Sequence, residues 1–197
     1  MAHSIPDLTR TAVLSMDLQT AIVSIYAKSQ PDFLPRVAGV LKKARALSIP
    51  VIHVQVGFRP GFPEVSERNA LFGAIKTNPQ WQQVFQGSAG VIHPEVAPVN
   101  DEIVVTKHRV NAFHGTDLDM ILRAREIDTM ILLGIATSGV VLSTLVDASD
   151  ADYRLFVVKD CCLDSDPDLH TCLIEKLFPR RATVLCADEL RDALQSC

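Results

Sequence analysis

Short apolar runs of strand length recur along the chain, separated by stretches with a different rhythm. Residues 11–16 read TAVLSM and stop at Asp17, residues 50–56 read PVIHVQV, and residues 102–106 read EIVVT and stop at Lys107. Residues 129–135 read TMILLGI, residues 154–158 read RLFVV with Asp160 close behind, and residues 182–186 read ATVLC. These runs are almost continuously apolar rather than alternating, the pattern of strands covered on both faces. Between them the apolar spacing changes to three and four. Leu34, Val37, Leu41, Ala44 and Leu47 make one helical face, and Leu118, Ile121 and Leu122 make another. The second of these opens at Gly115 or Thr116, with Asp117 and Asp119 in a first turn that favours negative charge. Residues 138–151, 168–177 and 188–194 complete the predicted helices.

Strands alternating with helices predict βαβ units, hence an α/β fold with a mainly parallel sheet of about six strands flanked by helices. In such a sheet the site lies beyond the carboxyl ends of the strands. Residues 57–100 break the rhythm. They carry Pro60, Pro63, Pro79, Pro94 and Pro98 together with Phe58, Phe62, Phe72, Trp81 and Phe85. We read them as a long excursion with one short helix around residues 80–85, of the kind that forms pocket walls or oligomer contacts. No repeat, low-complexity tract or linker divides the chain, so residues 1–197 read as one domain.

Composition narrows the function classes. A chain of 197 residues with 48% hydrophobic and 21% charged positions can build a core without a disulfide or a metal. The net charge of −4, with Lys42-Lys43 and Arg180-Arg181 as the only basic clusters, argues against a nucleic-acid surface. The first ten residues contain Pro6 and lack a signal-like apolar stretch. The longest apolar run, residues 130–137, falls far short of the ~18 residues needed to span a membrane. Five cysteines at positions 161, 162, 172, 186 and 197 include no CxxC pair, which reads as reduced thiols of a cytoplasmic protein. Cys161, Cys162, Cys172 and Cys186 are expected to be buried structural thiols.

Candidate chemistry gathers where strands stop. Asp17 follows the first strand, with Gln19 two residues on; Lys107 follows the third; residues 134–139, GIATSG, join a buried strand to a helix. A parallel sheet brings these to one edge. A carboxylate beside an ammonium keeps both charged. A helix N-terminus can hold an oxyanion or a substrate carboxylate.

The MDLQ at residues 16–19, the KHRVNAFHGTDLDMILRAREI at 107–127 and the GIATSGVVLSTLVDASDADYRLFVVKDCC at 134–162 resemble the isochorismatase-like (cysteine hydrolase) superfamily, in order from about Thr11 to Cys186. The resemblance implies a three-layer α/β/α sandwich of Rossmann-like topology, a homo-oligomer (dimer or tetramer), a small-molecule substrate and no cofactor. It also implies a site of Asp, Lys and usually Cys, and a non-proline cis peptide near Ile135-Ala136-Thr137. Asp17 and Lys107 match the family's Asp and Lys, but Val140 occupies the position of the usual nucleophilic cysteine. Valine cannot form the acyl-enzyme that a thiolate forms. True isochorismatases also lack the thiol and cleave a vinyl ether with the Asp as proton donor. The expectation is therefore a hydrolase acting on a carboxylate-bearing substrate through Asp17 and Lys107. The alternatives are a catalytically silent binding or scaffolding member of the fold, or an amidase using a displaced cysteine. Thr137, Ser138, Gly139 and Val140 are expected at the substrate. Gln19 either contacts substrate or braces the loop after the first strand, and Phe113 either walls the pocket or packs in the core. His108 or His114 either faces the site or lies at the surface, and Arg59 either meets an anion or is solvated. His53 reads as a core group and Asp147 as structural. After the second strand the chain reads GFRPG, residues 57–61, without the Asp-x-His pair of the metal-binding branch, so no metal is expected.

Overall fold

The computed structural model describes residues 7–85 and 87–194. Its strands are β1 (Thr11–Met16), β2 (Val51–Val56), β3 (Ile103–Lys107), β4 (Thr129–Ile135), β5 (Arg154–Leu163) and β6 (Thr183–Leu185). They form one six-stranded sheet in the order β3-β2-β1-β4-β5-β6, with every pairing parallel. Every residue of β1 and of β4 is buried, as continuous apolar runs in the middle of a covered sheet require. The edge strand β3 instead mixes buried and exposed positions.

Helices cover both faces. Val13, Ile131 and Leu133 point to one side, where Val37 and Leu41 of α2 (Phe33–Ala46) and Leu190 of α8 (Ala187–Ala193) meet them. Ala12, Leu14, Met16 and Leu132 point to the other, against Leu118 and Leu122 of α5 (Leu118–Ala124) and Leu145 and Ala148 of α6 (Leu142–Asp150). A π-helical turn, Thr137–Val141, leads into α6. α7 (Pro167–Cys172) starts at Asp166, whose carboxylate accepts from the Asp168 and Leu169 amides.

Three features depart from the sequence expectation. First, β5 does not end at Val158. A register shift in its pairing with β4 lets it resume, with Gly134 opposite Cys162 and Ile135 opposite Leu163. Second, the excursion is more ordered than its prolines suggest. It contains α3 (Ala70–Thr77) and α4 (Pro79–Gln83), capped by the Asn69 and Asn78 side chains, and α1 (Thr20–Tyr26) precedes it. Phe62, Val65, Phe72 and Ile75 make a small separate core on Val56, at the C-terminal end of β2. Phe58 sits at its centre, with ring centroids 4.9, 5.5 and 5.6 Å from Phe62, Phe72 and Phe85. Third, only Cys161 and Cys162 of the thiols expected inside are buried. Cys172 is exposed as the last residue of α7 and Cys186 is half-exposed as the N-cap of α8, because both stand at helix ends rather than in strands. Cys197 lies outside the described residues. Among the described residues, no helix is long and apolar enough to cross a membrane.

Candidate active site

The site is built on the C-terminal edge of the sheet. As β1 ends, Asp17 turns into the left-handed region at φ 55°, a conformation that Asp tolerates better than most residues. Its amide donates to the Val54 carbonyl at 2.8 Å, which fixes the turn against β2. On the other side, Gly134 of β4 lies so close that a Cβ there would stand 2.1 Å from the Met16 carbonyl oxygen. Glycine is required at this contact, and the contact holds the end of β1 in place.

Lys107, the last residue of β3, reaches past the end of β2. Its Nζ stands 2.8 Å from Asp17 Oδ2, with the two side chains 2% and 8% exposed. Nζ also donates to the Arg109 carbonyl at 3.0 Å. Of the three ammonium protons, one remains for a ligand. Asp17 Oδ1 is buried without a hydrogen-bond partner. Burial pushes the Asp17 carboxyl above its ordinary value, against the pull of the Lys107 ammonium. The pair therefore offers a proton-transfer group and a cation with unused hydrogen-bonding capacity.

Above the pair is a cavity of about 390 Å³, lined by Asp17, Lys107, Gly139, Val140 and a largely apolar wall. Val140, where the resemblance places the usual thiol, presents only an isopropyl group and is 2% exposed. The peptide between Ile135 and Ala136 is cis, at the place the resemblance implied. Thr137 and Ser138 sit behind the loop. Thr137 Oγ1 is 2.8 Å from His170 Nδ1, and the Ser138 amide donates to Asp164 Oδ2 at 2.6 Å. They tie the turn to the segment after β5 and do not line the cavity.

Gln19 is fully buried, and its amide is spent on the backbone. Nε2 donates to the carbonyls of Val56 and Gly90 at 3.0 and 2.6 Å, and Oε1 accepts from the Val56 amide at 2.8 Å. It braces the excursion against β2. Phe113 stacks obliquely on Tyr153, ring centroids 6.2 Å apart, away from the cavity. His108 Nδ1 contacts the Gly57 carbonyl, His114 is exposed, and Arg59 pairs with Glu64 on the surface. His53 is buried at 3.0 Å from Glu102 Oε2, and Asn111 donates to Asp147 at 2.7 Å. Among the described residues, no cluster of three or more His, Cys, Asp or Glu is placed to hold a metal ion.

The cysteines stand apart from the cavity. Burial pushes the Cys162 thiol up to about 12 and the Cys161 thiol higher still, and none of the described cysteines lines the cavity. The excursion read as a pocket wall or an oligomer contact supplies Phe72, Trp81 and Phe85 to the cavity, but sequence reasoning missed the helices α1 and α3 that complete the wall. Ile22, Ile25 and Tyr26 come from α1, and Leu71, Phe72 and Ile75 from α3. Their spacings of one, three and four carry a helical signal, but each helix is too short to stand out.

The chain matches the family described as Isochorismatase domain over residues 11–189. It is 30% identical over 189 residues to YecD, an isochorismatase family protein of Escherichia coli O157:H7, covering 93% of this chain and 96% of that one. It is 29% identical over 147 residues to maleamate amidohydrolase of Pseudomonas putida, covering 74% of this chain and 67% of that one. Among solved structures, an isochorismatase family protein from Burkholderia thailandensis superposes with a TM-score of 0.81 at 28% identity, covering 99% of this chain and 100% of that one.

Proposed function

The chain belongs to the isochorismatase family, and on that premise we propose that it is a hydrolase that acts on a small carboxylate-bearing substrate through Asp17 and Lys107 without a cysteine nucleophile. The observation that carries the reading is the buried Asp17–Lys107 pair at 2.8 Å, on the floor of a cavity whose loop offers Val140 and no thiol. The maleamate amidohydrolase relative supports hydrolysis as the reaction class.

In this reading Lys107 holds a substrate oxygen with its remaining N–H, and Asp17 transfers the proton. With a vinyl ether, the protonated Asp17 delivers its proton to the terminal alkene carbon. Water adds to the resulting oxocarbenium carbon and its proton returns to Asp17. The adduct then collapses to a ketone and an alcohol, so one water is consumed and one C–O bond broken. Burial raises the Asp17 carboxyl above its ordinary value, a shift toward the protonated form that the acid role uses. With an amide, the ionised Asp17 instead takes a proton from the water that attacks the carbonyl carbon and returns it to the leaving nitrogen as the C–N bond breaks, giving a carboxylic acid and an amine.

Asp17→Asn tests the assignment. Asn keeps the side-chain size and tolerates the left-handed backbone, so circular dichroism is expected to show a folded protein with turnover abolished. Unchanged turnover refutes the role given to Asp17. Val140 favours a second reading, a binding or scaffolding protein that has lost hydrolysis. Reproducible turnover in a screen of ethers, amides and small aromatic carboxylates excludes it.

A further inference from the structure

The wall of the cavity has a character that the proposed chemistry does not itself require. Among the described residues, no charged side chain other than Asp17 and Lys107 lines it, and both are buried. The body of the wall is hydrocarbon contributed by separate pieces of chain: Ile22 and Ile25 from α1, Leu71 and Phe72 from α3, Trp81 from α4 and Phe85 just after it. Ile25, Leu71 and Trp81 are 50%, 56% and 47% exposed, so the apolar surface continues to the mouth. Exposed hydrocarbon converging on a cavity is the signature of a ligand that buries hydrocarbon there. A polar group on the part of a ligand that lies along this wall would be desolvated without a charged partner.

We propose that the substrate is amphiphilic, with a compact polar head that carries the scissile bond and a hydrocarbon body, alkyl or aryl, that fills the cavity. Which end points inward rests on the assignment of the reaction to Asp17 and Lys107. The preference for hydrocarbon rests on the wall alone. The proposal separates this chain from the maleamate amidohydrolase relative, whose named substrate is polar at both ends.

Trp81 is the only tryptophan in the chain, so its fluorescence reports occupancy of the cavity without turnover. The purified protein is titrated with butanamide, hexanamide and phenylacetamide, and with butanediamide as the polar match for hexanamide. Each buried methylene is expected to tighten Kd about fourfold, so hexanamide binds about fifteenfold more tightly than butanamide. Butanediamide is expected to bind more weakly than hexanamide. Leu71→Asn, on the exposed part of the wall, is expected to flatten the chain-length series. A flat series in the wild type, butanediamide binding as tightly as hexanamide, or a series untouched by Leu71→Asn overturns the proposal. The two assignments fail separately. If Asp17-dependent turnover accompanies a flat series, the hydrocarbon preference falls and the reaction stands. If wild type and Asp17→Asn show the same steep series but no turnover of any amide or ether, the reaction falls and the hydrocarbon site stands.

Discussion

Replacing Lys107 by methionine keeps the length and the apolar stem of the side chain but strands a buried carboxylate. In this variant Asp17 is still only 8% exposed, its Oδ1 already lacks a partner, and the sole counter-charge is gone. Removing one member of a buried ion pair costs about 3–5 kcal/mol, a large share of the roughly 5–15 kcal/mol by which a domain is stable. The carboxyl can reduce that cost by taking up a proton. Burial already holds Asp17 above its ordinary 3.8 in the presence of Lys107, and without the ammonium it rises further. A folded-state pKa above the unfolded one means that the folded chain binds the proton more tightly. Its stabilising contribution is therefore complete below 3.8 and is lost as pH rises through the folded value. The deficit of Lys107→Met is expected to be largest at pH 8 and to narrow as the pH is lowered toward 5. Adding Asp17→Asn removes the stranded charge, so the double variant is expected to recover most of the loss at pH 8, because an ion pair replaced by neutral groups is often nearly neutral in stability. Urea unfolding of the wild type, both single variants and the double variant at pH 8 and pH 5 measures all of this. A deficit equal at both pH values, or a double variant whose loss is the sum of the single losses, refutes the reasoning.

Other substitutions probe the supports of the site. Gly134→Ala puts a Cβ against the Met16 carbonyl at a backbone φ of 142°; we expect a loss of about 3 kcal/mol, read as a Tm lower by roughly 6–12 °C, and a shift under about 2 °C would show that β4 and β1 part freely. Gln19→Ala leaves the Val56 amide and carbonyl and the Gly90 carbonyl without this partner; urea unfolding should show about 2–3 kcal/mol lost, and hydrogen exchange should quicken at Val56. An unprotected Val56 amide in the wild type would contradict the bracing role. Iodoacetamide on the native protein is expected to label exposed Cys172 ahead of buried Cys161 and Cys162. Turnover should survive the labelling, and its complete loss would reinstate a thiol nucleophile.

The sheet was readable because a strand covered on both faces leaves an unbroken apolar run, as in TAVLSM and TMILLGI. The meeting of Asp17 with Lys107 was readable for a related reason. Both runs stop on an ionisable residue, and parallel strands send their carboxyl ends to one edge. What stayed hidden depended on contacts rather than pattern. β5 runs through Lys159 and Asp160, two polar residues that end an apolar run on paper. In the structure Asp160 accepts from the Ala187 amide at 2.8 Å and pairs with Arg36 at 3.3 Å, which satisfies it at the side of the sheet. α3 was masked by the prolines around it, and its order comes from the Asn69 cap and from Phe72 and Ile75 inside the small aromatic core. Gln19 carried two readings in the sequence, and only the position of the Val56 and Gly90 backbone distinguishes them.

That small core has a consequence for how such a protein can change. Phe58, Phe62, Phe72 and Phe85 pack mainly on one another and touch the sheet at Val56, whereas Asp17 and Lys107 are held by the strands themselves. The aromatic part of the wall thus packs as a unit of its own, while Ile135, Val140 and the reaction centre belong to the strand ends and the turn after β4. Sequence drift in the aromatic body can reshape what enters the cavity while the strand ends keep their geometry, so one inherited reaction centre can be fitted with successive recognition surfaces.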